Sequence, residues 1–446
     1  MLESNVYSTG LADRIRSVIA PASGSTDQPL IGIEVENMLY DANFARIPVN
    51  HGATISATDI LRRLRKDSDA IAQGVGYSLE PGGQVEFASA PRVSLNELQE
   101  QCRSHQDRLE TLCAREGLFT SDLSLEPFAV PEEIDLIDQS KYRLMHDRFT
   151  QTGSLGAWMM RNTTSIQVNI DVIDEATAAE MAFVCDCVAP LAAILFAHSP
   201  FQRGVATGPR NARYEIWQDT DASRCGYLMD LGAMTTADGL VERYAEWILD
   251  VPTIFTYPTS GEDVPYPGTL GAWLTDLSDQ GRVQQHDIEV ALHQSFSHVR
   301  FKRNVVEIRI TDRPPFGYEI APAAFWAGLM ADKTRERLLE LVAAWSLDDR
   351  QRLCDAAPNL NLSQTGPQQR SLDDWMETVC ELALAGLDER CATLRVGSER
   401  HLFEDFYRAF RANGIFSLQV QERFADTRGD LKTFLQSACH PTVAGR

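Results

Sequence analysis

Several common chemistries have no residues to carry them in this 446-residue chain. No GxxxxGK run ending in Ser or Thr is present, so a P-loop nucleotide site is unsupported. A GxSxG elbow is also missing, and no pair among the nine histidines has HExxH spacing. Nine cysteines occur, an odd number, and none forms CxxC. Cys185 and Cys187 share an apolar helical stretch. This pattern gives zinc no ligand set and predicts reduced thiols in a cytoplasmic protein. Cationic residues are scarce, 41 Lys and Arg against 63 Asp and Glu, for a net charge of -22. That balance argues against nucleic-acid partners and against an anionic membrane surface. The start MLESNVYSTGLADRIR has neither the basic residues nor the apolar run of a signal peptide. The longest apolar stretch, near Met181 to Ala197, is interrupted by Asp186 and Pro190, so no membrane span is predicted.

What the chain does have is glutamate at strand spacing. IGIEVEN places Glu34 and Glu36 two apart, on one face of an extended segment. GYSLEPGGQVEFASAP adds Glu80 and Glu86 on either side of the turn signal Pro81-Gly82-Gly83. VVEIRITD supplies Glu307, with Arg309 two residues on. Carboxylates gathered on adjoining strands repel unless cations sit between them. Magnesium favours oxygen ligands of this kind and commonly travels with nucleotide phosphates, so the pattern points to ATP chemistry.

Hydrophobic content of 44% and charged content of 23% suit a globular protein of one large domain or two unequal ones. Strands are predicted at IGIEVEN, across the Tyr77–Ser89 hairpin, at Thr163–Val172 and at Asn304–Thr311. Helices are predicted at residues 9–20, 57–70, 95–116 and 175–197. A loop-rich middle follows, and the chain from about Ala323 is helical. The reading is α+β: a largely antiparallel sheet with helices outside, a catalytic region over 1–335, and a helical region over 336–446 packed on it.

Taken in order, IGIEVEN, SLEPGGQVEF, LGAWMMRNTTSIQVNID, ILFAHSPF, ARYEIWQDTDASRCG and VRFKRNVVEIRITD resemble the glutamate–cysteine ligases of the plant and proteobacterial branch. The likeness covers roughly residues 30–335. It implies a glutamine-synthetase-like sheet with a concave active face and a two-step reaction. ATP phosphorylates the γ-carboxylate of glutamate, and the amine of cysteine then displaces phosphate, with Mg²⁺ stabilising charge. In this scheme Glu34, Glu36, Glu80, Glu86 and Glu307 are metal ligands, and the resemblance adds Gln167 on the QVN strand. It also implies that Arg213 holds a substrate carboxylate and that Arg309 serves the transferring phosphoryl group, with Arg224 a further catalytic candidate. Arg161, Lys302 and Arg303 are candidates for the nucleotide, the last two equally readable as a solvated edge. Trp217 and Tyr214 are candidate walls of the acceptor pocket.

The family pattern is not complete. Asn37-Met38-Leu39 stands where the family carries a lysine, Cys225 replaces a threonine, and TDRPPFGYE follows the last strand. The acceptor amine therefore stays open between cysteine, as in glutathione biosynthesis, and another amine or acid in a sister ligase. A non-catalytic nucleotide- or metal-binding protein is the reading from a different class. The expected assembly is a monomer or homodimer. Loss of Glu34 or Glu307 is expected to abolish turnover without changing unfolding.

Overall fold

The computed structural model describes residues 9–20, 28–257, 261–427 and 429–438. Most of the loop expected before IGIEVEN, together with Pro258, Cys439 and His440, falls outside them. Seven strands form one sheet: β1 (Ile31–Tyr40), β2 (Gly76–Leu79), β3 (Val85–Ala88), β4 (Phe119–Ser121), β5 (Ile166–Asp171), β6 (Val299–Lys302) and β7 (Val305–Ile308). Their order is β6-β7-β5-β1-β3-β2, with β4 on the far end of β1, and every pairing is antiparallel. The predicted α+β class and antiparallel sheet are observed.

The sheet has one dry face. Ile33, Val168, Ile308 and Val299 are register partners in sequence across four strands, and all are buried. Against them pack two apolar helices, Glu175–Leu195 and Ala321–Leu329. The first is long and apolar enough to cross a membrane, yet it is a core helix, buried over nearly all its length. Its Asp186 is sealed inside and accepts from the Leu228 amide at 2.8 Å and from Arg350 at 2.9 Å. A buried charge is tolerated only with partners of this kind.

The C-terminal helix Leu372–Leu394 crosses Ala321–Leu329 at two glycines. A Cβ on Gly386 would lie 1.8 Å from the Gly328 carbonyl oxygen. Only backbone against backbone fits there, and this contact ties the C-terminal helices to the layer behind the sheet.

Three elements differ from the sequence reading. The predicted 57–70 helix is two helices, Ala57–Leu64 and Ser68–Gln73, because the Asp67 carboxylate caps a new helix by accepting from the Ala70 amide. The expected loop-rich middle contains the helices Ala212–Gln218, Leu240–Asp250, Leu270–Asp279 and Gln285–Leu292, set between glycine- and proline-bearing segments that read as loop. The single strand expected at 304–311 is one arm of the β6–β7 hairpin, whose turn Arg303-Asn304 has Asn304 at φ 55. Asparagine takes the left-handed conformation here, where a glycine would have been the usual signal.

Candidate functional site

The other sheet face is polar, and register decides its membership. Directly paired residues in an antiparallel ladder project to the same side. Glu36 faces Glu86, Glu34 faces Gln167, and Glu307 faces both Asn169 and Arg300. Glu80 follows β2 in the turn to β3. Gly83 takes φ 79 in that turn, and at Gly82 a Cβ would lie 2.6 Å from the Arg161 backbone. The Pro-Gly-Gly signal therefore has two separate causes: a left-handed residue and a close backbone approach.

This face divides into an acidic and a basic half. On the acidic side, Glu36 accepts from the Ser165 amide, the Ser165 hydroxyl and the Gln167 amide, each at 2.9 Å. Burial and the charge of Glu80 nevertheless push its carboxyl up to about 7. Burial also raises Glu80, and burial together with Glu80, Glu34 and Glu36 raises Glu86 well above the usual range. These carboxyls feel one another, and the charges of Arg213, Arg309 and Lys141 offset their burial only in part.

On the basic side, Glu307 is fully buried and pairs with Arg300, Lys302 and Arg309, the last at 3.2 Å. Burial alone would raise Glu307, but those three cations reverse the sign and hold it well below the usual range. Lys302 also reaches Glu34 at 3.2 Å and Asn169 at 3.4 Å. Gln167 bridges the halves, accepting from Arg309 while donating to Glu36.

Where the halves meet, a cavity of about 50 Å³ is lined by Glu36, Glu80, Met160, Arg213, Trp217 and Arg309, among others. Arg213 and Arg309 lie 6.0 and 5.9 Å from the Trp217 ring. Arg213 is fixed by Asp312 at 3.2 Å and by the Ile310 carbonyl at 3.1 Å. Among the described residues, the ring nitrogen of Trp217 and the Nε of both arginines are buried and have no partner. Unspent donors beside a small polar cavity suit a carboxylate or phosphoryl oxygen.

The remaining expectations separate cleanly. Lys302 joins the polar face, whereas its neighbour Arg303 points outward with 61% of its side chain exposed. Arg224 is corrected to a structural residue. It is wholly buried, and its guanidinium is spent on Asp221 and on the Gln294 and Pro252 carbonyls. Arg161 turns its guanidinium to the Pro131 and Ile134 carbonyls, at 2.7 and 3.1 Å, and does not line the cavity. Tyr214 packs in the core, bonded to Tyr227 at 2.7 Å, so only Trp217 of the two aromatics walls the site. Asn37, one of the family departures, leaves the dry face of β1 and bonds His105 at 3.0 Å, so it has no bearing on substrate. Two cations escaped the sequence reading: Arg300 and Lys141, whose charge acts on Glu80. The alternation VRFK against VVEIRI would have exposed Arg300 had the hairpin been recognised.

The donor set fits a hard cation in kind. Glu34, Glu36, Glu80 and Glu86 offer only oxygen, and the raised carboxyls mark a deficit of positive charge among them. Among the described residues, however, no three Asp, Glu, His or Cys side chains are drawn into ligand positions about a common point. Glu307 differs from the other four, since its oxygens already have three cationic partners.

The model of glutamate–cysteine ligase family 2 matches residues 30–429, well past the 30–335 expected. Chloroplastic glutamate–cysteine ligase of Brassica juncea is 32% identical over 319 residues, 70% of this chain and 61% of its own length. The enzyme of Arabidopsis thaliana is 31% identical over 318 residues, 70% and 60%. The chain thus spans about three fifths of the length of these curated relatives. Their plastid location corrects the expectation of a cytoplasmic protein, which is withdrawn. Among solved structures, glutamate–cysteine ligase of Francisella tularensis in complex with AMP has a TM-score of 0.56 at 13% identity, covering 93% of this chain and 88% of that one. A bifunctional glutathione synthetase of Pasteurella multocida gives 0.50 at 12%, covering 95% and 52%. Both likenesses are of fold.

Proposed function

Because the chain belongs to glutamate–cysteine ligase family 2, we propose that it is an ATP-dependent carboxylate–amine ligase that forms γ-glutamylcysteine from glutamate and cysteine. The observation that carries this reading is the divided polar face, with a carboxyl cluster and buried arginines meeting at one cavity. Trp217 and Met160 give the cavity an apolar wall, and low-dielectric walls strengthen charge interactions inside it. Arg213, locked by Asp312, presents its unspent Nε to a carboxylate of the acid substrate. Arg309 faces the γ-carboxylate as it takes the phosphoryl group from ATP, where the added charge needs a fixed cation. Glu307 and Gln167 hold Arg309 in place. The cysteine amine then attacks the acyl phosphate, and phosphate leaves.

Mg²⁺, held by Glu34, Glu36, Glu80 and Glu86, would supply Lewis-acid stabilisation of the phosphates. Gln167 would orient this cluster through Glu36. Incubation with ATP, Mg²⁺, glutamate and a panel of amines, followed by mass spectrometry, tests the proposal. The expected products are γ-glutamylcysteine, ADP and phosphate. A γ-glutamyl product with a different amine would move the chain to a sister ligase. ADP release that never exceeds background with any acid and amine would overturn ligase activity.

A further inference from the structure

Behind the sheet lies a second cavity, of about 390 Å³, where the end of β5 meets the start of the core helix Glu175–Leu195 and the C-terminal end of the helix Leu372–Leu394. It shares no lining residue with the cavity at Glu36 and Glu80. Its apolar wall is Ile170, Ile173, Met181, Met330 and Leu394. Two guanidiniums also line it, Arg335 and Arg390, only 8% and 6% exposed.

Each arginine is anchored through two of its three nitrogens. Arg335 bonds Glu180 and Asp332 at 3.1 and 3.0 Å and the Met330 carbonyl at 3.2 Å. Arg390 bonds Glu399 at 3.0 Å and the Val93 carbonyl at 2.8 Å. Among the described residues, Arg335 Nη2 and Arg390 Nη1 have no further partner. The acids of the lining differ among themselves. Glu389 uses both oxygens, accepting from the Lys333 and Thr334 amides at 2.8 and 3.1 Å and from the Thr334 hydroxyl at 3.1 Å. Asp171 uses one oxygen, accepting from the Leu30 amide at 3.1 Å, and burial raises its carboxyl.

A purely apolar occupant would leave two guanidinium edges dry, and a simple anion would lie against Asp171. We propose that this cavity binds a free α-amino acid with an apolar side chain. Its carboxylate takes the open edges of Arg335 and Arg390, and its ammonium group takes Asp171. The side chain lies between the thioethers of Met181 and Met330, which adapt to varied apolar shapes. The volume is within the range of small-molecule sites, about 300–1,000 Å³. Binding there is independent of the ligase reading.

Calorimetric titration of the full chain tests this with L-leucine, L-methionine, glycine, 4-methylpentanoate and isoamylamine. Leucine and methionine should bind at one site per chain, and the other three at least about tenfold more weakly, since each lacks one of the three recognised groups. Ile173→Trp, which fills the cavity, should abolish leucine binding. Asp171→Asn should weaken leucine but not 4-methylpentanoate, a selectivity that misfolding could not produce. Arg309→Ala, in the reaction site, should leave leucine binding intact. Absence of saturable heat with leucine and methionine to about 10 mM, or binding lost with Arg309→Ala and kept with Ile173→Trp, would overturn the proposal.

Discussion

Glu34 and Glu307 share a sheet face but live in different electrostatic surroundings. Glu307 balances three cations in a site closed to water, so Glu307→Ala strands Arg300, Lys302 and Arg309 together. Breaking a buried pair costs about 3–5 kcal/mol. Glu307→Ala is expected to lose both turnover and several degrees of thermal stability, which revises the sequence-based expectation of unchanged unfolding. Glu34 is partly exposed, with Lys302 at 3.2 Å and Asn169 at 3.2 Å, so Glu34→Ala should lose turnover with little change in Tm. Calorimetric melts of the two variants separate these outcomes, and equal melting temperatures would sink the distinction.

Glu36 adds a pH signature. Its carboxyl lies near 7, with Glu80 and Glu86 raised beside it, so at and below that pH protons must leave before a cation can bind, and fewer need leave as the pH rises. Mg²⁺ affinity is therefore expected to rise with pH. Proton release on binding should be measurable at about pH 6.5 by titration in buffers of different ionisation enthalpy, and be smaller near about pH 8.5. Affinity that stays flat across this range would show that Glu36 is not a ligand.

At the scale of elements, the β6–β7 hairpin and the crossing of two helices do most to shape the molecule. Hairpin register sets Arg300 opposite Glu307 and turns Arg303 outward. The crossing depends on two residues without side chains. Gly386→Ala would drive a methyl group into the Gly328 carbonyl and push the helices apart. Overpacking of this sort costs about 1–3 kcal/mol. The variant should melt at lower temperature yet keep its kcat where it is folded, because neither glycine touches the polar face. A Tm equal to that of the parent would mean the helices separate without cost.

Across the whole molecule, the region after residue 335 is held by charge as well as by close packing. Arg350, on the helix Leu347–Ala356, reaches into the core to Asp186 at 2.9 Å, with both side chains almost fully buried. Asp186→Ala leaves that guanidinium without its carboxylate and is expected to destabilise by about 3–5 kcal/mol. Replacing both, as Asp186→Leu with Arg350→Met, should recover most of the loss, since an apolar pair of similar size removes the unpaired charge. Chemical denaturation of the single and double variants measures this. A double variant no better than the single would show that the pair itself supplies stability.

The sequence by itself determined the alternating strands, the apolar helix behind them and the identity of the acids. These are local matters of period and residue type, which put Glu34 and Glu36 on one face, while strand register adds Glu86 and Gln167 to it. Only the tertiary structure decided which charges meet. Arg213 and Arg224 look alike in the chain, yet Arg213 reaches a cavity with a donor to spare, while Arg224 spends its donors on backbone carbonyls 28 and 70 residues away in sequence. The pairing of Arg300 with Glu307 and the meeting of Gly328 with Gly386 were likewise settled by register and packing. Charge pairing and close approach depend on distance in space, which side-chain spacing along a strand or helix does not encode.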